Sequence, residues 1–290
     1  MRVVVTGASG FIGQALCPAL RARGHTVLAL DRAAIGDITT FSDWSGRLAG
    51  AGAVVHLAAL AHARGMEEER LHAVNVEAPA MLGKSAAAAG ARMLFMSSVK
   101  VLGEETPGPA FDESSPPAPQ DAYGRAKAAA EAALRTIRGL ALTVLRPPLV
   151  YGPGVKANFL TLLRAVARGW PLPLANIDNR RSLIYAGNLA DAVLRCVEAP
   201  QAAGKTYLVS DGTAVSTPEL CRALGAVLGK PVRLFSCPPS LLEIVPAATK
   251  LTRSLVVGDQ AIRRELGWAP PHSLEAGLRL TAEWFRAQGR

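Results

Sequence analysis

Val3-Val4-Val5-Thr6-Gly7-Ala8-Ser9-Gly10-Phe11-Ile12-Gly13 decides the fold. Three β-branched residues in a row read as a short, fully buried strand. Glycines at 7, 10 and 13 interrupt it, and Gln14 to Leu20 resumes with helical spacing. Strand, glycine turn and helix together aim free backbone N–H groups and a positive helix end at a phosphate. A Cβ at these positions would hold a diphosphate away and keep the helix off the strand. A glycine triplet alone also fits an ordinary tight turn, so its surroundings matter. A second strand, His25 to Leu30, ends in Asp31, an acid spaced to accept both hydroxyls of an adenosine ribose. The expected ligand is NAD, held by Gly7, Gly10, Phe11, Ile12, Gly13 and Asp31. Arg32, beside the acid, leaves room for the 2′-phosphate of NADP.

The 290 residues, half of them hydrophobic, suffice for an α/β core and a smaller appendage. A net charge of +9 raises the question of nucleic acid. The cations are spread along the chain and aromatics make up only 5%, so no nucleic-acid partner is expected; a basic balance suits a diphosphate ligand equally. Cys17, Cys196, Cys221 and Cys237 have neither ligand-like nor paired spacing, and read as reduced core cysteines of a cytoplasmic protein with no metal. A strand starting at residue 3 leaves no room for a signal peptide. The best apolar run, Leu241 to Val257, is broken by Glu243, Pro246, Lys250 and Arg253, so membrane insertion is not expected.

After Asp31 only Arg32 to Ile35 precede Gly36-Asp37-Ile38-Thr39. A parallel crossover needs a dozen residues or more, so the helix between strands two and three is expected to be missing. Asp37 and Ile38 read either as flanks of an adenine or as a solvated turn. Phe41 to Leu48 reads as a short helix, and Ala53 to Ala59 as a strand whose small end, Leu57-Ala58-Ala59, admits a cofactor. His56 within it reads as structural. A long helical region covers Glu67 to Ala89. Met93 to Met96 is a buried strand running into Ser97-Ser98, the carboxyl end at which such sheets place ligand chemistry.

Asp121 caps a helix carrying Tyr123 and Lys127, one turn apart and therefore on one face. An ammonium near a phenol favours the phenolate. Such a tyrosine can take a proton from a secondary alcohol while hydride leaves the same carbon for a nicotinamide. The lysine can also reach the nicotinamide ribose, and Ser98, with Ser97 as understudy, can bond the reacting oxygen. Farther on, Leu140 to Leu145 is a strand, Asn158 to Arg168 and Leu189 to Glu198 are helices, and Lys205 to Val209 is a strand returning to the sheet. Thr217 to Leu228 and Leu274 to Arg286 close the chain as amphipathic helices.

These motifs resemble the extended short-chain dehydrogenases/reductases, in the nucleotide-sugar epimerase/dehydratase branch. Thr6 to Gly13 fits that family's glycine motif at every position, His56 to Ala59 its strand-four motif and Asn75-Val76 its structural asparagine. Ser97 to Gly103 matches the serine segment, Tyr123 to Lys127 the catalytic helix, and Arg146-Pro147 to Gly152-Pro153 the segment beside the nicotinamide. The resemblance implies a doubly wound parallel sheet (Rossmann fold) over residues 1–150 and about 183–210. A small mixed α/β substrate lobe would comprise 151–182 and 211–290. It assigns Ser98, Tyr123 and Lys127 to catalysis, adds Leu57, Ala58, Ala59, Ser97 and Pro147 to the cofactor site, and implies a homodimer through helices near 76–89 and 122–138. For a UDP-linked sugar it offers Asn158, Arg181 and Arg253 near the diphosphate. Lys100 is either a substrate contact or part of a solvated loop. Asn179 to Leu183 and Glu265 to Trp268 are similar to a bacterial surface-polysaccharide subgroup of UDP-sugar 4-epimerases.

The family's 4,6-dehydratases would place an acid pair directly after the serine, where this chain has Val99 and Lys100; dehydration is disfavoured. A 4-epimerase with retained NAD, a 4-keto-sugar reductase that releases its cofactor, and a non-catalytic cofactor binder remain as readings. Asp31 tips the balance to the epimerase.

Overall fold

The computed structural model describes residues 1–61, 67–238, 242 and 249–289. Among them the strands are β1 (Arg2–Thr6), β2 (Thr26–Leu30), β3 (Ala53–His56), β4 (Arg92–Met96), β5 (Leu142–Arg146), β6 (Leu149–Tyr151), β7 (Leu183–Tyr185) and β8 (Thr206–Leu208). Six form a parallel sheet in the order β2-β1-β3-β4-β5-β8. The chain leaves β1 first toward β2 and then crosses to β3, so the direction reverses at β1, where a crevice opens beyond the carboxyl ends of the strands.

The sheet is buried on both faces, as its valine-rich strands require. Val3 and Val5 pack under α1 (Phe11–Ala22) and α8 (Ala186–Glu198), with Leu16, Leu20 and Leu189. Val4 and Val54 point the other way, onto α3 (Trp44–Leu48), α5 (Ala78–Ala88) and α6 (Ala122–Arg135). Each such valine, fully buried, contributes about 1.5–3 kcal/mol. A second core joins α7 (Ala157–Ala167), α9 (Thr217–Leu228) and α10 (Leu274–Ala287). The parallel β6–β7 ribbon links the two cores: Ile184 enters the first, Leu183 and Tyr185 the second, following the period of two along a strand.

The tight, helix-free connection expected after Asp31 is not found: the path to the next strand, β3, runs over residues 31–52 and carries two short helices. Residues 36–39 form a turn, not a strand, so β2 is the edge and the strand matching the family's fourth is the third in this chain. A four-residue α2 (Arg32–Ile35) and then α3 fill the crossover. The helix expected from Phe41 starts only at Trp44, where the Asp43 side chain accepts from Gly46 N–H at 3.2 Å. The long helix expected over 67–89 divides into α4 (Glu68–His72), a π-helical turn over 73–77, and α5. That wider turn buries Asn75, whose amide bonds both backbone groups of Leu60 at 2.9 and 3.0 Å. Cys17, Cys196 and Cys221 are buried, but Cys237 is partly exposed and is not a core residue. The run from Leu241 falls largely outside the described residues; among those described, no helix is long and apolar enough to cross a membrane.

Candidate active site

The glycine turn is shaped by close backbone approach. Gly7 has φ +69°, and a Cβ there would lie 2.7 Å from Ala58 N; at Gly13 it would lie 2.4 Å from Ala8 O. Gly7 therefore lets the end of β3, with Leu57, Ala58 and Ala59, close against the loop, where Leu57 N–H donates to Thr6 O at 3.1 Å. Gly13 lets α1 sit on the loop itself. No side chain caps α1 at Gly10, so the first-turn N–H groups, including those of Phe11 and Ile12, stand at a positive helix end suited to a diphosphate. These features fit a dinucleotide. Asp31, at the end of β2, accepts from Ala34 N–H at 3.1 Å, capping α2, and Arg32 is exposed on that helix. Asp37 is ion-paired with Arg70 and accepts from Thr39, while Ile38 packs at the edge of the core. Both adenine-side candidates are thus already engaged with the protein.

Beyond β4 the two serines separate in role. Ser97 is buried and donates to Glu131 Oε1 at 2.5 Å, so its hydroxyl belongs to the framework. Ser98 Oγ accepts from Lys100 N–H at 3.2 Å and starts a short 3-10 turn. Pro147 O accepts from Val99 N–H at 3.0 Å, tying the end of β5 to this segment.

Asp121 Oδ1 accepts from Gly124 N–H at 2.7 Å and caps α6. A Cβ at Gly124 would lie 2.7 Å from Lys100 O, so glycine there lets α6 meet the serine segment. Lys127 is fully buried; its Nζ donates to Met96 O at 2.8 Å and lies 4.5 Å above the Phe95 ring. Burial lowers its pKa to about 7, against the pull of Glu131. Lys127 Nζ lies 5.8 Å from the centre of the Tyr123 ring. Tyr123 keeps partial exposure, yet protein surrounds its phenol, and burial followed by the Asp121 charge raises its pKa. Lys127 was expected to draw the tyrosine toward neutral pH; burial of the phenol and the Asp121 charge act in the opposite direction.

On the lobe side, Asn158 and Arg181 meet in a cavity with Phe159, Ser216 and Lys250. Arg181 donates to Arg253 O at 2.9 Å, and Arg253 pairs with Glu105 at 2.7 Å. Arg253 thus touches Arg181 through its backbone while its guanidinium engages the serine segment. Lys100 pairs with Asp121 and, at 2.8 Å, with Glu104. Neither reading of Lys100, substrate contact or solvated loop, anticipated that pairing.

One pairing escaped the sequence reading. Glu131 and Arg146 form a buried two-point ion pair at 2.9 and 2.6 Å. Glu131 was findable, since it extends the Tyr123–Lys127 face by one more turn. His56 is buried as expected for a structural residue: Nδ1 lies 2.8 Å from Thr6 Oγ1, and burial, then Lys127, hold its pKa near 3.

A glycine turn at a sheet crevice, with a serine beyond a neighbouring strand end and a tyrosine and lysine one turn apart on α6, defines an NAD-dependent short-chain dehydrogenase/reductase of the extended kind. Residues 3–210 match the NAD dependent epimerase/dehydratase family, and the chain belongs to it. It is 35% identical to a UDP-glucose 4-epimerase of Vibrio cholerae, across 98% of this chain and 95% of that one. Identity with a dTDP-4-dehydrorhamnose reductase of Mycolicibacterium smegmatis is 32%, across 81% and 72% respectively. The fold is similar to MoeE5 in complex with UDP-glucose and NAD, with a TM-score of 0.82, 26% identity and complete coverage of both chains.

Proposed function

We propose that this protein is an NAD-dependent nucleotide-sugar 4-epimerase acting on a UDP-hexose or UDP-N-acetylhexosamine through a 4-keto intermediate. The observation that carries it is the placement of Tyr123 and Lys127 on one face of α6, capped against the Ser98 segment, with no acid at Val99 or Lys100. The relative from Vibrio cholerae and the UDP-glucose complex of MoeE5 support the substrate class. NAD would be held by the Gly7–Gly13 turn and Asp31 and would supply the hydride acceptor and donor for C4. Tyr123 takes the proton of the C4 hydroxyl and later gives it back. Ser98 orients that oxygen, Lys127 holds the ribose and supports the phenolate, and Asn158, Arg181 and Arg253 hold the diphosphate. The same proposal includes a homodimer through α5 and α6.

A 4-keto-sugar reductase is the second reading, favoured by the likeness to the Mycolicibacterium reductase. Denaturing the purified protein and identifying released dinucleotide separates the two. Carried NAD together with interconversion of UDP-hexoses supports the epimerase; an empty protein that consumes NADPH with a 4-keto sugar overturns it. Tyr123→Phe should lower turnover by about 10²–10⁴-fold with NAD affinity nearly unchanged, and retained activity would remove Tyr123 from the reaction.

A further inference from the structure

Tyr123 stands between two ammonium groups of different character. Lys127 is buried, and burial weakens its hold on the proton, lowering its pKa to about 7. Lys100 Nζ lies 6.0 Å from the centre of the same ring. Burial pulls its pKa down, but the hydrogen bonds to Asp121 and Glu104 outweigh that and hold the proton more firmly than in an ordinary lysine.

Asp121 creates the need for such a group. Its carboxylate caps α6 and so fixes where Tyr123 begins its helix. A negative charge two residues from the phenol also opposes the phenolate that the reaction requires. An uncharged cap would remove the opposition, and so would a cation on the carboxylate's other oxygen. The chain has the second: Asp121 Oδ1 accepts from Gly124 N–H, and Oδ2 meets Lys100.

We propose that Lys100 is a positioning residue for Tyr123: it neutralises the capping carboxylate of Asp121 and pins the serine segment to the start of α6. This rests on the reading of Tyr123 as the acid/base. Among the described residues, the charged groups around the tyrosine are Asp121 at the cap of α6, Lys127 on α6, and Lys100 on the serine segment with its partner Glu104. Behind Glu104 stand Lys250, at 3.4 Å, and Arg181. On the side of α4 and the π turn, Arg70 pairs with Asp37, and His72 with Glu77.

The test follows Tyr123 directly, by NMR titration of ring-labelled tyrosine in the NAD-bound protein. The chain has 4 tyrosines, and Tyr123→Phe identifies the resonance. Lys100→Gln should raise the Tyr123 pKa by about one unit and move the acid limb of the turnover profile upward equally. Asp121→Asn should move both downward. The double variant should return close to wild type, and Lys100→Arg should restore the wild-type profile. An unmoved titration in Lys100→Gln overturns the proposal, as does a shift of the same sign in Lys100→Gln and Asp121→Asn. If the titrations move as stated but no UDP-hexose is turned over, the role of Lys100 stands and the epimerase reading falls.

Discussion

Helix α6 carries two carboxylates with opposite fates. Glu131, toward the carboxyl end, has a side chain 4% exposed and is gripped at two points by Arg146, itself 7% exposed, with Ser97 on the same oxygen. Asp121, at the amino end, is 37% exposed; its partner Lys100 is 28% exposed, and Glu104, which shares that lysine, 26%. The first cluster is dry and saturated, so it fixes one arrangement of α6 on β4 and β5. The second is partly wet, so its charges are screened and its partners can change. One helix thus joins a fixed anchor to an adjustable electrostatic field around Tyr123. Similar ion pairs serve architecture where water is excluded and chemistry where it is admitted.

The sharpest way to break this contrast is Glu131→Ala. It leaves a buried guanidinium and the Ser97 hydroxyl without their partner, and should cost about 3–5 kcal/mol of stability, measured by chemical denaturation. A loss below about 1 kcal/mol would place Glu131 with ordinary surface pairs and end the distinction. A smaller effect is expected from Arg181→Ala on the lobe side. The Arg181 guanidinium donates to a backbone carbonyl, Arg253 O, at 2.9 Å, a contact that costs little to lose, so stability should barely move. Loss of a charge-assisted hydrogen bond to a diphosphate should weaken UDP binding by roughly 10- to 100-fold with turnover at saturation little changed. Calorimetry with UDP checks this, and an unaltered affinity removes Arg181 from the substrate site.

What the sequence made legible was local. Gly7, Gly10 and Gly13 announce the crossover because the strain and the close approaches are set within a few residues. Tyr123 and Lys127 declare a shared face through helical spacing alone. That no full crossover helix follows Asp31 directly could be inferred because the four residues Arg32 to Ile35 cannot hold one, whereas the turn at 36–39 in place of a strand could not. The π turn stayed hidden because Ala73 to Glu77 keeps helical composition, and the extra residue is chosen by the contact of Asn75 with Leu60. The partners of Lys100 stayed hidden too, since Asp121 reaches it only after a proline-rich loop has folded back. The behaviour of Tyr123 depended on burial, a property of the whole packing that spacing does not carry.

The smallest effect belongs to the most exposed of these pairs. Bonds from Thr39 N–H and then Arg70 lower the Asp37 pKa from 3.8 to about 2. A depressed carboxylate contributes stability that is present above its unfolded pKa and is lost as pH falls through about 4 toward 2. Asp37 is 38% exposed and Arg70 36%, so water and salt screen most of that contribution. Asp37→Asn should therefore change the melting temperature by under about 2 °C at pH 7. The gap should close below about pH 3, where the wild-type carboxylate is also being neutralised. Thermal melts across that range test the sign: a gap that widens in acid contradicts the linkage, and a large gap at neutral pH would move Arg70–Asp37 into the same class as Arg146–Glu131. NAD affinity in the same variant separates structure from recognition. If affinity falls while the melts coincide, the carboxylate leaves Arg70 to meet the adenine; if both hold steady, Asp37 serves only its turn.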